Sequence, residues 1–68
     1  MKAGSKVRVT HVSEPEYYNR WAARIGQSGV LVRSYDSRNG ERFWVVDFED
    51  GSEDQWMEFP EDELEVLD

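Results

Sequence analysis

Residues 43–54 have the sequence FWVVDFEDGSED, in which large apolar side chains lead directly into a cluster of acids. Because the side chains of a strand alternate between its two faces, Trp44, Val46 and Phe48 share one face. Asp47 lies on the other face and should contact water. The alternation therefore predicts a half-buried strand with Trp44, Val46 and Phe48 toward the core. The opposite face carries Phe43, Val45 and Asp47.

Alternating apolar residues predict further short strands on both sides of this one. Val7 and Val9 alternate with polar residues over 6–10, and a second strand is predicted over 30–35, after a turn at 26–29. Residues 55–59 return as a strand with Met57 and Phe59 inward and with Trp56 and Glu58 outward. Residues 64–67 close the chain as the last strand.

Turn-forming residues separate these strands. Asn39-Gly40 suits the hairpin loop over 36–41, and a tight turn over 49–52 places Gly51 where a positive φ is needed. Pro60 begins a short 3₁₀ turn over 60–63. Residues 15–25 lack a clear helical stripe and predict a long loop with one helical turn. The sequence thus predicts an all-β domain over 1–68, a five-stranded antiparallel SH3-like barrel.

Charge is distributed unequally along the chain. Residues 1–42 hold all eight basic residues and four acids, whereas residues 43–68 hold eleven acids and no base, for a net charge of −7. The acidic half also carries many large apolar residues, which a disordered acidic tail would lack. We therefore expect this half to be folded, with its acids on the solvent side.

The composition argues against several classes of protein. There is no Cys, which excludes disulfides and thiolate zinc sites, and no apolar run is long enough to span a membrane as a helix. We expect a cytoplasmic protein. One His and scattered Ser give no catalytic triad, so we predict no enzyme activity. The acids around Gly51 do not match a calcium loop, and we predict no metal and no cofactor.

The order of these strands and turns resembles that of the small peripheral stromal subunit of photosystem I, subunit IV, which is a five-stranded SH3-like barrel. The similarity spans most of the chain but consists of short segments. That resemblance implies an accessory subunit of a photosynthetic electron-transport complex. The matching segments are residues 4–9, Tyr17-Tyr18-Asn19, Gly26-x-x-Gly29-Val30, Val46-Asp47-Phe48 and residues 59–66.

The C-terminal half alone is similar to Tudor-type domains. Residues 43–52 followed by 59–64 have their order of strand, acidic turn with Gly, strand, and turn with Pro and acids. Tudor-type domains hold a methylated lysine in an aromatic cage, so this similarity implies a methyl-lysine reader. The same order suits other small barrels that contain this hairpin.

Aromatic residues of the predicted loop over residues 15–25, called the early loop below, suggest a partner-binding surface. Aromatic side chains beside acids suit a basic or cationic protein segment, through cation–π contacts and electrostatic steering. The alternative is that Tyr17 and Trp21 fill an open end of the barrel. The predicted contact residues are Tyr17, Tyr18, Trp21 and Trp56, and the predicted acidic rim is Glu49, Asp50, Glu53 and Asp54.

Nucleic acid is the remaining candidate partner, because small barrels often bind it. A basic stripe on the strands would supply phosphate contacts, with Tyr35 or Phe43 for stacking. The net charge of −7 repels phosphate at long range and disfavours this function. The sequence does not name the partner or the oligomeric state. The candidate stripe is Lys6, Arg8, Arg33 and Arg42.

Overall fold

The computed structural model describes residues 1–67, in which five strands form one antiparallel sheet. The elements are β1 Lys6–Val9, α1 Asn19–Ala22, β2 Ser28–Asp36, β3 Arg42–Asp47, β4 Trp56–Pro60 and β5 Leu64–Val66. The strands lie in the order β4-β3-β2-β1-β5, α1 is a single helical turn, and a 3₁₀ turn over Glu61–Glu63 precedes β5. These features confirm the predicted all-β class, strand number and 3₁₀ turn.

The core lies on one face of the sheet and consists of the side chains that alternate inward. The predicted core face of β3 is confirmed, because Trp44, Val46 and Phe48 are all buried. Phe48 packs edge-on against Phe59, with ring centroids 5.9 Å apart. Trp21 packs against this core from α1. The buried members of the core cluster are Val7, Val9, Val12, Leu31, Trp44, Val46, Phe48, Met57, Phe59 and Leu64.

Val45 is buried although it lies on the face opposite the core. Only 4 % of its surface is exposed, but it does not belong to the core cluster. Its cross-strand partners are Arg33 on β2 and Glu58 on β4, because β3 is paired on both sides. Side chains directly opposite in a sheet lie within contact distance, so the longer neighbours shield this valine.

The turn predicted over 26–29 is wrong in its second half, because Ser28 and Gly29 already belong to β2. They pair with Arg8 and Val7 of β1. A Cβ added to Gly29 would lie 2.7 Å from the carbonyl oxygen of Asp47. Glycine therefore permits β2 and β3 to approach at this point.

The connection between β3 and β4 is longer than the tight turn that the sequence predicts, and β4 begins at Trp56 and not at residue 55. Gly51 does adopt a positive φ of 71°, as predicted, but Glu49 also adopts one, at 55°. The Asp47 carboxylate accepts hydrogen bonds from the Glu49 N–H at 2.9 Å and the Gln55 side chain at 3.0 Å. These bonds hold both ends of the longer connection.

The early loop follows the prediction of an irregular segment with one helical turn, Asn19–Ala22. Its first bend is closed by the Tyr17 and Tyr18 N–H groups, which both donate to the carbonyl oxygen of Glu14. Glu14 has a φ of 52°, a left-handed conformation. Across residues 1–67, no helix has the length and apolar character needed to cross a membrane.

Candidate functional site

Three aromatic rings of the early loop contact one another in sequence. The rings of Tyr17 and Tyr18 are 4.7 Å apart edge to face, and those of Tyr18 and Trp21 are 5.8 Å apart at 89°. Tyr17 is 76 % exposed and Tyr18 is 43 % exposed. The predicted contact residues Tyr17, Tyr18 and Trp21 therefore form one continuous aromatic cluster at the surface.

Trp21 has a structural role as well as an accessible edge. Its indole N–H donates to the carbonyl oxygen of Glu58 at 3.0 Å, while its ring packs against the core. Since β4 is an edge strand, this bond satisfies a carbonyl that no neighbouring strand reaches. Trp21 thus fixes α1 against the edge of the sheet.

A first groove of about 400 Å³ lies between the early loop, the β2–β3 hairpin and the 3₁₀ turn. Tyr18, Trp21 and Phe43 supply aromatic surface to it. Acids from three different segments surround these rings, so the groove combines apolar walls with negative charge. Its lining residues are Val12, Ser13, Tyr18, Trp21, Glu41, Phe43, Glu58, Pro60, Asp62 and Glu63.

A second, more open groove of about 370 Å³ lies on the other side of Trp21. Trp56, which is 52 % exposed as predicted for an outward residue, lines this groove. Trp21 and Glu58 line both grooves and separate them. Of the predicted contact residues, Tyr18 lines the first groove, Trp56 lines the second, and Tyr17 lines neither. The second groove is lined by Arg20, Trp21, Asp54, Trp56, Met57 and Glu58.

The four residues predicted as the acidic rim lie in the connection between β3 and β4. Asp50 and Asp54 form ion pairs with arginines of the early loop, Arg24 at 2.6 Å and Arg20 at 2.5 Å. Glu49 and Glu53 are exposed. Asp54 lines the second groove, whereas Glu49, Asp50 and Glu53 line neither groove. That these four acids contact a partner stays a prediction.

The acids that line the first groove were not among the predicted site residues. Glu41 comes from the β2–β3 hairpin and Asp62 and Glu63 come from the 3₁₀ turn, while Glu58 projects from β4. The sequence signal was the acidic run that follows Pro60. Its position beside the aromatic loop depends on the sheet topology, which joins segments distant in sequence.

Glu58 is held beside the first groove by Tyr35. The Tyr35 hydroxyl donates a hydrogen bond to the Glu58 carboxylate. This bond raises the pKa of Tyr35, because the phenol proton is stabilised by its acceptor. The Tyr35 ring in turn stacks on Phe43 at 5.6 Å. The aromatic and acidic parts of the groove are thus connected on its β2–β3 side.

Within residues 1–67, no group of three or more His, Asp or Glu side chains is arranged to hold a metal ion. The His11 ring contacts the neighbouring Thr10 hydroxyl at 3.1 Å and lines neither groove. Aromatic faces and carboxylates are both groups that attract a cation.

No protein-family model, curated protein or solved structure matches this chain. The resemblances to the photosystem I subunit and to Tudor-type domains therefore rest on short sequence segments alone. Any function has to be argued from the chain's own residues.

Proposed function

We propose that the sheet curls into an SH3-like barrel, as the sequence predicts. β4 and β5 lie at opposite edges of the sheet, yet only the 3₁₀ turn Glu61–Glu63 connects them. Strands about 4.8 Å apart would put the edges of a flat five-stranded sheet about 19 Å apart. A 3₁₀ segment rises only about 2 Å per residue, and it spans that gap only if the sheet is strongly curved.

We further propose that the domain is a non-enzymatic protein-interaction module, or an accessory subunit of a larger complex, that binds a basic segment in the first groove. The supporting observation is that Tyr18, Trp21 and Phe43 line one groove together with four acids. A cation over an aromatic face gains about 0.5–2 kcal/mol, depending on how far it is desolvated. Carboxylates at the same groove add direct pairing and steering.

The charge of the whole chain supports the same class of partner. With a net charge of −7, the protein attracts basic segments and repels nucleic acid and acidic proteins. The second groove lies next to the first, and an extended segment of a few residues is long enough to contact both. Trp56 would then contact the residues that flank the bound cation.

Titration with a basic peptide tests this proposal. A Lys-Gly repeat peptide should bind and shift the Trp21 indole resonance, whereas a Glu-Gly repeat should not. Tyr18→Ala should weaken binding by about fivefold, the loss of one cation–π contact. Ile25→Ala is the matched control, since Ile25 is 45 % exposed but lines neither groove. Equal binding by Tyr18→Ala and by Ile25→Ala would exclude the groove as the binding site.

A methyl-lysine reader is a second candidate, favoured by the geometry of one ring pair. Tyr18 and Trp21 are perpendicular and line the same groove, which gives two walls of the kind that surround a methylammonium. Under this hypothesis a trimethyl-lysine peptide binds more tightly than the same peptide with unmodified lysine. The reverse order of affinities would contradict it.

A further inference from the structure

Glu63 differs from the other acids of the first groove because it is buried. Only 4 % of its surface is exposed, and it is the only buried acid in residues 1–67. It ends the 3₁₀ turn, where its backbone carbonyl accepts hydrogen bonds from the Thr10 backbone at 2.9 Å and from the Thr10 hydroxyl at 3.1 Å. The backbone of Glu63 is therefore held by Thr10, the residue that follows β1.

The two oxygens of the Glu63 carboxylate have different surroundings. Oε2 accepts a hydrogen bond from the Ser13 N–H at 2.9 Å. Within residues 1–67 no donor contacts Oε1, and no fully buried side-chain nitrogen or oxygen lacks a partner. Oε1 is therefore not a fully buried, unpaired acceptor. Glu63 lines the first groove.

We propose that Glu63 selects the ligand of the first groove: a lysine ammonium or arginine guanidinium with an N–H donor for Oε1, in preference to a quaternary ammonium. The inference rests on the proposed function, because it specifies which cation the groove accepts, and it is incompatible with the methyl-lysine reader named as the second candidate. A side chain that fills the groove excludes solvent from the Glu63 carboxylate. An N–H donor on that side chain then hydrogen-bonds to Oε1, whereas a trimethylammonium leaves the oxygen unpaired at a desolvated position.

The preference for lysine over trimethyl-lysine arises from the hydrogen bond that trimethyl-lysine cannot donate to Oε1, and not from a difference in charge. Lysine and trimethyl-lysine carry the same charge and both contact aromatic faces favourably. A buried acceptor without its donor is disfavoured by an amount that corresponds to about tenfold in affinity or more. Lysine and arginine peptides should therefore bind at least about tenfold more tightly than the trimethyl-lysine peptide.

Short Gly-Ser peptides with one central residue test the proposal on the full chain. The central residue is lysine, arginine, trimethyl-lysine or norleucine, and the readout is the shift of the Trp21 indole N–H during titration. Glu63→Gln keeps an amide oxygen that accepts from the Ser13 N–H. This variant should weaken lysine and arginine binding about tenfold and should alter trimethyl-lysine binding much less.

The control variant is Glu65→Gln, which removes the same charge from an exposed acid on β5 that lines neither groove and is not one of the predicted rim acids. It should leave every affinity within about twofold of the wild type. The lysine and trimethyl-lysine peptides are also compared on the wild-type chain, so the proposal stays testable if Glu63→Gln does not fold. A folded variant is recognised by wild-type dispersion of its amide spectrum.

The possible failures are distinguishable. If no basic peptide shifts the Trp21 resonance, the proposed function itself is wrong. If basic peptides bind but trimethyl-lysine binds as tightly as lysine, the groove is a cation site and the role of Glu63 is overturned. The role is also overturned if folded Glu63→Gln retains the full preference for lysine.

Discussion

Arg24 joins the early loop to the connection between β3 and β4. Its guanidinium donates to the Asp50 carboxylate at 2.6 Å, the Asp54 carbonyl at 2.7 Å and the Ser52 hydroxyl at 3.1 Å. The same group lies 4.2 Å from the centroid of the Phe48 ring. Only arginine offers donors in several directions from a flat group that also stacks on an aromatic face.

Replacing Arg24 by Lys should lower the free energy of unfolding by about 2 kcal/mol. An ammonium at this buried position satisfies fewer of the acceptors that surround Arg24, which include the Gln27 side-chain oxygen, and loses the stacking on Phe48. Urea denaturation followed by tryptophan fluorescence measures the change. The matched control is Arg20→Lys, whose ion pair with Asp54 is exposed and should contribute about 0.5 kcal/mol or less. Equal effects of the two variants would contradict a special role for Arg24.

The pairing with Arg24 also predicts how stability depends on pH. The hydrogen bond from Arg24, helped by two from Ser52, lowers the pKa of Asp50 from 3.8 to about 2. Because the folded state has the lower pKa, this carboxylate stabilises the fold fully above pH 3.8. That contribution is lost as the pH falls from there toward 2.

Asp50→Asn removes this titration and serves as the comparison. The wild type should have the higher urea midpoint at neutral pH, and the difference should shrink steadily as the pH falls from 3.8 to about 2. A difference that stays constant over this range would mean that Asp50 does not ionise differently in the folded and unfolded states.

The contacts between side chains distant in sequence were the hardest features to predict from the sequence. Arg24 and Asp50 are separated by 26 positions, and Glu63 lies 50 positions from Ser13. Periodicity reports only which face of a strand a residue occupies. A buried arginine and a buried glutamate in irregular segments give no such signal, so both contacts emerge only from the fold.

Among the elements, prediction succeeded where apolar and polar residues alternate strictly. Residues 6–9 and 56–59 follow the predicted inward and outward pattern. The predicted start of β2 was wrong because serine and glycine, which occupy positions 28 and 29, are common in turns. Their pairing with β1 outweighs that local preference. Alternation along β3 could not predict the burial of Val45 either, since that burial depends on neighbours from two other strands.

Gly29 gives an element-scale prediction. Gly29→Ala should lower the free energy of unfolding by about 1–3 kcal/mol, because the added methyl group overlaps the backbone of Asp47 on β3. Ser28→Ala, at the exposed neighbouring position of the same strand, should change stability by less than about 0.5 kcal/mol. Both are measured by urea denaturation. A Gly29→Ala variant as stable as the wild type would show that β2 and β3 can move apart at this point without loss of stability.

For the whole molecule, the sequence predicted the amount of negative charge but not its arrangement. The predicted rim acids Asp50 and Asp54 are paired with arginines, whereas acids from the hairpin and the 3₁₀ turn surround the first groove. Which acids are paired and which surround the groove follows from the topology of the sheet, and composition does not encode that topology. Only four ion pairs join the described residues, so most of the fifteen acids have no basic partner there.

This excess of acids predicts that salt stabilises the folded protein. The molecule measures 25 × 24 × 20 Å. The Debye length falls from about 30 Å at 10 mM salt to about 8 Å at 150 mM, so repulsion between distant acids is strong at the lower concentration and screened at the higher. Screening also weakens the four ion pairs, but three of them have well-exposed side chains and contribute little.

The urea midpoint should therefore rise between 10 mM and about 150 mM sodium chloride. Glu49→Gln combined with Glu53→Gln removes two exposed charges that line neither groove. This double variant should be more stable than the wild type at low salt and should gain less when salt is added. A midpoint that falls with salt in the wild type would mean that the ion pairs, led by the pair of the buried Arg24 with Asp50, outweigh the repulsion among the unpaired acids.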